Sequence, residues 1–158
     1  MKNWFVATYK INEIKRVESN LLNQGFKYYL PKLVSIKPNC GPKEELMFPG
    51  YIFIKDIVNK SLSAQYTRGI KSIIKFGGNI SYISEDEIKS LKSLEDLSKS
   101  EPLVIKIKIG QEVSIKGGVF KGNIAKICTL PSKRRIGVLL HILGSKTRVD
   151  VQEKDLLF

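Results

Sequence analysis

The spacing of hydrophobic and polar positions predicts the elements in the first part of the chain. Residues 3–9 are aromatic and β-branched, which predicts a strand. Across residues 13–24, apolar positions recur every three or four residues, which predicts a helix with one buried face, and Gly25 predicts its end. Residues 26–37 are expected to be extended, with Pro31 at an edge or a bulge. The apolar stripe of the predicted helix consists of Ile14, Val17 and Leu21.

The segment MFPGYIFIK, residues 47–55, predicts a strand that is apolar on both faces. Side chains alternate along a strand, so Tyr51 and Phe53 lie on one face while Ile52 and Ile54 lie on the other. A strand of this kind needs cover on both sides. The sequence therefore raises the question of what covers the aromatic face.

Further elements follow in the same region. A turn is predicted at residues 39–45, a helix at 57–67, a strand at 70–77 and a turn at 77–79. Ser84 and Glu87 match a capping box, which predicts the start of another helix. Its apolar stripe consists of Ile88, Leu91, Leu94 and Leu97. This order of elements predicts an α+β fold, an antiparallel sheet with flanking helices.

The composition of the sequence changes after residue 97. Residues 98–104, which begin SKSEP, are polar and aperiodic and predict a linker. Residues 105–158 are rich in β-branched residues and glycine, which predicts a small β-barrel. We therefore expect two domains, residues 1–97 and 105–158. The glycines that separate the predicted strands are Gly110, Gly117, Gly118, Gly122, Gly137 and Gly144.

The formal net charge of +12 indicates a polyanionic partner, either nucleic acid or an anionic membrane surface. A generally lysine-rich composition is the alternative explanation. No segment approaches the roughly 20 apolar residues that span a bilayer, and the first residues do not resemble a signal peptide. Cys40 and Cys128 are far apart in sequence, and two free thiols in a reducing cytosol are favoured over a disulfide.

The sequence offers no catalytic constellation. The single histidine, His141, lies in the apolar run IGVLLHILG, where we expect it within a sheet rather than as a catalytic base. No Walker loop, GxGxxG, HExxH or GxSxG motif is present. We expect no enzymatic activity, no cofactor and no metal site.

The polar face of the first helix suggests a nucleic-acid interface. Lysine and arginine bind phosphates, while asparagine can read base edges. An ordinary solvated face has a similar composition, so the helix alone leaves both interpretations open. Further polar residues, around Thr67-Arg68-Gly69 and at the end of the first strand, are expected to converge beside this helix. The candidate nucleic-acid ligands are Lys10, Lys15, Arg16, Asn20, Asn23, Thr67, Arg68 and Lys71. Secondary candidates are Lys116, Lys121 and the run Lys133, Arg134 and Arg135, which is expected in a turn.

Four segments resemble, in order, the NusG family of transcription elongation factors. They are WFVATYK, FPGYIFI, TRGIKSIIKFG and GQEVSIKGGVFKGNIAKI, and the last resembles a KOW motif. The resemblance implies an NGN domain over residues 1–97 and a KOW barrel over 105–158. It further implies an apolar cavity that binds the clamp helices of the largest subunit of RNA polymerase. On this interpretation the aromatic ridge is uncovered within the domain because the polymerase covers it. The implied polymerase-binding residues are Phe48, Pro49, Tyr51, Phe53, Phe76, Ile88 and Leu91.

Two features resemble the specialised members of the family, RfaH and LoaP, which are antitermination factors. Arg68 stands where housekeeping members typically have proline, and the strong positive charge resembles LoaP. This resemblance implies a nascent RNA hairpin as ligand, with single-stranded non-template DNA as the alternative. The KOW region of RfaH can fold as a helical hairpin over the cavity, but glycines and β-branched residues predict a barrel here.

The resemblance also implies partners and a location. The KOW domain would bind a ribosomal protein or a termination factor, and a monomeric chain would lie in the bacterial cytoplasm, at the nucleoid, through RNA polymerase. Two rival functions remain. One is a housekeeping elongation or termination factor of the same family. The other is a ribosome-associated RNA-binding protein with a KOW module, which would leave FPGYIFI unexplained.

Overall fold

The computed structural model describes residues 3–37, 41–57, 60–100 and 132–146. The helices are α1 (Ile14–Asn23), α2 (Ser61–Ala64), α3 (Glu85–Ser100) and α4 (Ser132–Lys146), and a 3-10 turn, Ile11–Glu13, precedes α1. The strands are β1 (Trp4–Tyr9), β2 (Tyr28–Tyr29), β3 (Lys32–Lys37), β4 (Gly41–Leu46), β5 (Tyr51–Lys55), β6 (Ile70–Ile73), β7 (Lys75–Phe76), β8 (Asn79–Ile80) and β9 (Tyr82–Ile83). None of the helices in these ranges has the length and apolar character needed to cross a bilayer.

Strand β1 lies in the middle of a five-stranded antiparallel sheet. The order is β2-β5-β1-β6, and β9 also pairs with β1. Strands β6 and β9 pair with opposite ends of β1, while β5 runs along its other side. Strands β3 and β4 form a separate hairpin, and β7 and β8 form another. The predicted α+β class, with an antiparallel sheet and flanking helices, is confirmed.

The two apolar faces predicted for β5 pack into two separate cores. Phe53 is fully buried in one core, where Tyr51 packs against its edge, and helices α3 and α4 cover this side. Ile52 and Ile54 are buried in the other core, together with the α1 residues Val17 and Leu21. The alternation along β5 therefore places α1 on one face of the sheet and the two longer helices on the opposite face.

The predicted capping box begins α3. The amide of Glu87 donates to Ser84 Oγ at 3.3 Å, and the amide of Ser84 donates to Glu87 Oε2 at 2.9 Å. The helix continues to Ser100, so its last turn replaces the start of the predicted linker. That turn is structural, because the amide of Val34 in β3 donates to Ser98 Oγ at 3.1 Å.

Three local predictions differ from the structure. Residues 41–46 form strand β4 rather than a turn, because their backbone pairs with β3 over its full length. The helix predicted at 57–67 is a four-residue helix, α2. Strand β9 was not predicted, since its two residues are too few to establish a period; its pairing with β1 defines it.

The largest difference concerns residues 132–146, which form helix α4 rather than strands of a barrel. Its buried positions follow helical spacing: Arg135, Val138, Leu139, Ile142 and Leu143. An apolar run such as IGVLLHIL fits either a strand or a buried helix, and packing against the sheet decides for the helix here. His141 is accordingly exposed on a helix instead of lying within a sheet. The rest of the predicted barrel, and therefore the domain division at 105, lies outside the described residues.

Gly69 offers a test of how α1 packs on the sheet. Its φ is +97°, and a Cβ added there would collide with Val17 Cγ2. We expect Gly69→Ala to lower the free energy of unfolding by about 2 kcal/mol or more, from backbone strain plus the collision. Gly25→Ala is the matched control, because Gly25 has a similar φ of +82° and nothing within 4 Å of the added Cβ. Thermal unfolding of both variants measures the difference; equal losses would contradict the close approach.

Candidate functional site

The first candidate site is an aromatic surface on the side of the sheet opposite α1. Phe48 and Phe53 lie at its centre, with ring centroids 6.1 Å apart, and Tyr29 lies 6.3 Å from Phe53. Helix α3 contributes Ile88 and Leu91, which are fully buried. We call this surface the covered apolar face. Its buried members are Trp4, Val6, Leu33, Met47, Phe48, Phe53, Ile83, Ile88, Leu91 and Leu94.

Helix α4 lies on the covered apolar face and belongs to the same core. The expectation that Phe48 and Phe53 are uncovered is therefore wrong for this structure: they are 1% and 0% exposed. The reason is that the chain supplies its own cover, an apolar helix stripe that excludes water from the aromatic rings. The residues of α4 buried in this core are Val138, Leu139, Ile142 and Leu143.

Arg135 attaches the first turn of α4 to the end of β4. It is only 4% exposed, and its Nε donates to the carbonyl of Met47 at 2.8 Å. Its Nη2 donates to the carbonyl of Leu46 at 3.2 Å and lies 3.3 Å from the Glu45 carboxylate. A buried ion pair loses much of its attraction to desolvation, so these contacts fix the orientation of α4 more than they stabilise it.

Ser81 attaches the other end of α4. Its hydroxyl donates to the carbonyl of Leu143 at 2.7 Å, and Ser81 itself is 1% exposed. This carbonyl belongs to the last turn of the helix, where backbone acceptors have no partner within the helix. The side chain of Ser81 therefore provides a capping contact that depends on the docked position.

Other predicted polymerase-binding residues lie at the margin of this face. Tyr51 and Phe76 are half-buried and pack against the core, and burial raises the pKa of Tyr51. Pro49 is also half-buried and precedes Gly50, whose φ of +88° makes the turn into β5. The structure thus brings the predicted set together around β5 and α3, with Pro49 at its edge.

A charged cluster attaches the start of α3 to β1 beside the same face. Trp4 Nε1 donates to Glu85 Oε2 at 2.9 Å, and Lys55 Nζ lies 3.1 Å from the same oxygen. Lys92 Nζ lies 5.9 Å from the centroid of the Trp4 ring. The Trp4 hydrogen bond, followed by the lysine contacts, holds the pKa of Glu85 below its ordinary value. These contacts position α3, which forms one wall of the face.

The second candidate site lies where α1 meets the turn before β6, and we call it the basic edge. The amide of Lys10 donates to the carbonyl of Gly69 at 2.9 Å, and Asn20 Nδ2 donates to the carbonyl of Arg68 at 3.4 Å. These two contacts bring the end of β1, helix α1 and the turn to one place, as the sequence predicts. Lys71 follows on β6 and is exposed.

The outward face of α1 is open to solvent. Lys15, Arg16 and Asn23 are exposed, and Arg16 Nη1 lies 3.4 Å from Glu13 Oε1. An exposed pair at this spacing contributes little and leaves the arginine available to a phosphate. An open depression of about 390 Å³ is lined by residues 12–16.

One predicted ligand of nucleic acid is placed differently. Thr67 is only 2% exposed, and its hydroxyl donates to Gln24 Oε1 at 3.0 Å. The prediction that Thr67 faces nucleic acid is therefore wrong, because its side chain attaches the turn to the end of α1. The neighbouring Tyr66, which is 81% exposed, was not among the predicted site residues. A single aromatic residue in a turn gives no periodic signal that distinguishes exposure from burial.

The secondary nucleic-acid candidates differ in their exposure to solvent. Lys133 and Arg134 are exposed in the first turn of α4, whereas Arg135 is buried. The run is therefore helical rather than a turn, and Arg135 is removed from the set because its guanidinium is occupied by β4. Lys116 and Lys121 lie outside the described residues, as do Cys40 and Cys128.

The antiparallel sheet has an aromatic face on one side and a basic edge beside the helix on the other, and together these elements define an α+β fold. The family model described as "Transcription termination factor nusG" matches residues 2–92, more than half of the chain. The chain belongs to the NusG family of transcription factors. This family is composed of transcription factors rather than enzymes.

Comparison with solved structures finds similar chains. One comes from a study titled "Domain interaction in Thermotoga maritima NusG". It is 20% identical, with a TM-score of 0.41, and the match covers 75% of this chain and 70% of that one. Comparison with curated proteins finds no significant match.

Proposed function

We propose that the chain binds RNA polymerase through the covered apolar face and RNA through the basic edge, as an antitermination factor for selected operons. The observation that carries this proposal is that helix α4 packs on the covered apolar face. An aromatic face that a distant segment of the same chain covers is available to a partner whenever that segment leaves. The clamp helices of the polymerase would then occupy the position of α4, one helical surface replacing another.

Helix α4 has features of a removable cover. Its first turn contains Lys133, Arg134 and Arg135, and positive charge there opposes the helix dipole. Gly137 and Gly144 each reduce helix propensity by about 1 kcal/mol relative to alanine. A helix of 15 residues with these features is marginal in water. The helix therefore depends on its contacts with the face, and it loses its main source of stability when it leaves.

The same residues also favour a second structure. The density of β-branched residues and glycines across 105–158 predicts a barrel, while residues 132–146 form a helix when docked. The local sequence of this segment favours β-structure, whereas its tertiary contacts favour a helix. A segment with two such preferences can act as a switch between two structures. On this proposal, release of α4 exposes the face and permits the KOW barrel, which would recruit a ribosomal protein or a termination factor.

A covered face favours the specialised function over the housekeeping one. A factor that accompanies most polymerases needs its binding surface open, because a closed state reduces the apparent affinity in proportion to the open fraction. A factor for selected operons benefits from the closed state, since binding then requires a signal. The ribosome-associated alternative gives no reason for an aromatic face with a dedicated cover.

The basic edge is the proposed receptor for that signal. Phosphate contacts from Lys10, Lys15, Arg16 and Arg68 would supply most of the affinity and make it sensitive to salt. Double-stranded RNA has a deep groove that side chains cannot enter, so the edge would contact backbone and unpaired loop bases. We favour an RNA hairpin over single-stranded DNA because the net charge of +12 resembles LoaP, whose kind recognises a hairpin in the nascent RNA.

The function can be tested by transcription with purified RNA polymerase. A hairpin ligand is first selected from RNA hairpins with randomised loops, and is then placed in the transcript upstream of an intrinsic terminator. We expect the chain to increase readthrough several-fold on this template, because hairpin binding brings the factor to the polymerase.

A template with a scrambled hairpin is the matched control and should show little readthrough. An equal effect on both templates would favour the housekeeping function. Hairpin binding without any effect on transcription would favour the ribosome-associated alternative.

A further inference from the structure

Tyr66 is the most exposed large hydrophobic residue in the described part of the chain. Its exposed fraction is 81%, compared with 62% for Ile11 and 56% for Leu62. It lies in the turn between α2 and β6, next to the basic edge. A ring with this exposure is accessible to a ligand of the basic edge.

The backbone around Tyr66 is held from several sides. Its own amide donates to the carbonyl of Ser63 at 3.2 Å, and the amide of the following Thr67 donates to the carbonyl of Ala64 at 3.0 Å. The side chain of Thr67 is attached to Gln24, as described above. Because Ala64 and Thr67 on either side are buried, the turn is fixed to the domain while the tyrosine ring projects from it.

The exposed charged residues that follow Tyr66 closely in sequence are positive, and the Glu13 carboxylate lies near Gly69 in the same turn. Arg68, two residues further on, is exposed, and its carbonyl accepts from Asn20 on α1. Lys71 is exposed on β6. An exposed aromatic ring on a held turn, close in sequence to two cations, suits an unpaired nucleotide, whose base would stack on the ring while its phosphates contact the cations. A protein partner fits less well, because one ring offers a small apolar area and the cations would need acidic groups opposite them.

We propose that Tyr66 stacks on an unpaired base of a bound RNA hairpin, while Arg68 contacts a neighbouring phosphate. This proposal rests on the proposed function, since it assigns a subsite within the basic edge. The basic side chains contact phosphates, which are present in every RNA sequence. Stacking on Tyr66, in contrast, requires an unpaired base. Tyr66 thus gives the edge a preference for loops and bulges over continuous duplex.

The test uses the full chain and two RNA probes. One is a short hairpin closed by an adenosine loop, and the other is a blunt duplex with the same stem. We expect Tyr66→Ala to weaken hairpin binding about tenfold and to leave duplex binding unchanged, because stacking contributes on this order per base. Tyr66→Phe and Tyr66→Trp should retain hairpin affinity. A fluorescent adenine analogue in the loop should be quenched by the wild-type chain and not by Tyr66→Ala.

Leu62→Ala is the matched control, because it removes another exposed apolar side chain from the same connection. It should bind both probes as the wild type does. Unchanged hairpin affinity in Tyr66→Ala would overturn the proposal, and so would an equal loss for hairpin and duplex. An equal loss for a DNA hairpin of the same sequence would overturn the assignment to RNA. Reduced capture of RNA polymerase without nucleic acid would instead assign Tyr66 to a protein contact.

Failure of this inference is distinguishable from failure of the proposed function. If the wild-type chain binds the hairpin, and charge reversal at Arg16 and Arg68 removes that binding while Tyr66→Ala does not, only the stacking role is wrong. If the wild-type chain binds neither RNA probe at low salt, the RNA-binding function and the stacking role both fail.

Discussion

Replacing Leu139 and Leu143 with aspartate should raise the affinity of the chain for RNA polymerase by about tenfold or more. Both leucines are fully buried against the covered apolar face. Each contributes roughly 1.5–3 kcal/mol when buried, and the aspartates add a cost of burying charge, so the docked helix loses its main stabilisation. The open fraction then rises, and apparent affinity rises with it up to the intrinsic value. Binding of the purified polymerase to immobilised chain measures the change.

The control for this prediction is Arg134→Asp, which places a new acidic residue on the same helix at an exposed position. It should not raise polymerase affinity, because it leaves the buried stripe intact and places a favourable negative charge in the first turn of the helix. Hydrogen exchange in β5 and α3 independently reports whether α4 has left the face. Displacement of α4 without any gain in polymerase binding would contradict the assignment of this face to RNA polymerase.

A direct substitution within the face is a weaker test. Phe53 is fully buried and lies 6.1 Å from the Phe48 ring, so Phe53→Asp would place a charge inside the core of the domain. Loss of polymerase binding in that variant could reflect unfolding. Substitutions on α4 avoid this problem, because they leave the sheet and α3 intact.

Reversing two charges at the basic edge should weaken RNA binding by about tenfold or more at low salt. Arg16 is exposed on α1, and Arg68 is exposed in the turn that Asn20 contacts. Arg16→Glu combined with Arg68→Glu removes two phosphate contacts and adds repulsion. The slope of log affinity against log salt should fall by roughly one unit for each lost contact. Titrations of the selected hairpin at several salt concentrations measure both quantities.

A matched double variant separates site binding from bulk charge. Lys43→Glu with Lys89→Glu makes the same change in net charge at exposed positions on β4 and α3, away from the basic edge. This variant should keep most of the affinity. Equal weakening in both double variants would mean that RNA binds through overall charge, and the basic edge would lose its assignment.

Much of the fold of residues 3–100 was predictable because its signals are local. The stripe on α1, the alternation along β5 and the capping box of α3 each depend on residues close in sequence, and each is present in the structure. The predictions that were wrong concern elements that depend on contacts between residues distant in sequence. Strand β4 contains Pro42, Lys43 and Glu44, which favour a turn, and only pairing with β3 makes it a strand.

The candidate sites were predictable to a different extent. The cations of the basic edge were found from the polar face of one helix and a turn, but the inward direction of Thr67 depends on Gln24, which is 43 residues away. The exposure of Tyr66 follows from the same packing. For the aromatic face, the sequence identified the residues and not their cover.

By itself, the sequence determined that β5 has two apolar faces, that α1 packs through one stripe and that α3 begins at a capping box. These features follow from side-chain periodicity and backbone caps, which act over a few residues. Only the tertiary structure decided that residues 132–146 are helical and pack in the same core as the aromatic rings. The physical reason is that the contacts involved, such as Arg135 with Met47 and Ser81 with Leu143, join residues 88 and 62 positions apart. When an apolar run is compatible with both helix and strand, the surface on which it packs determines its conformation.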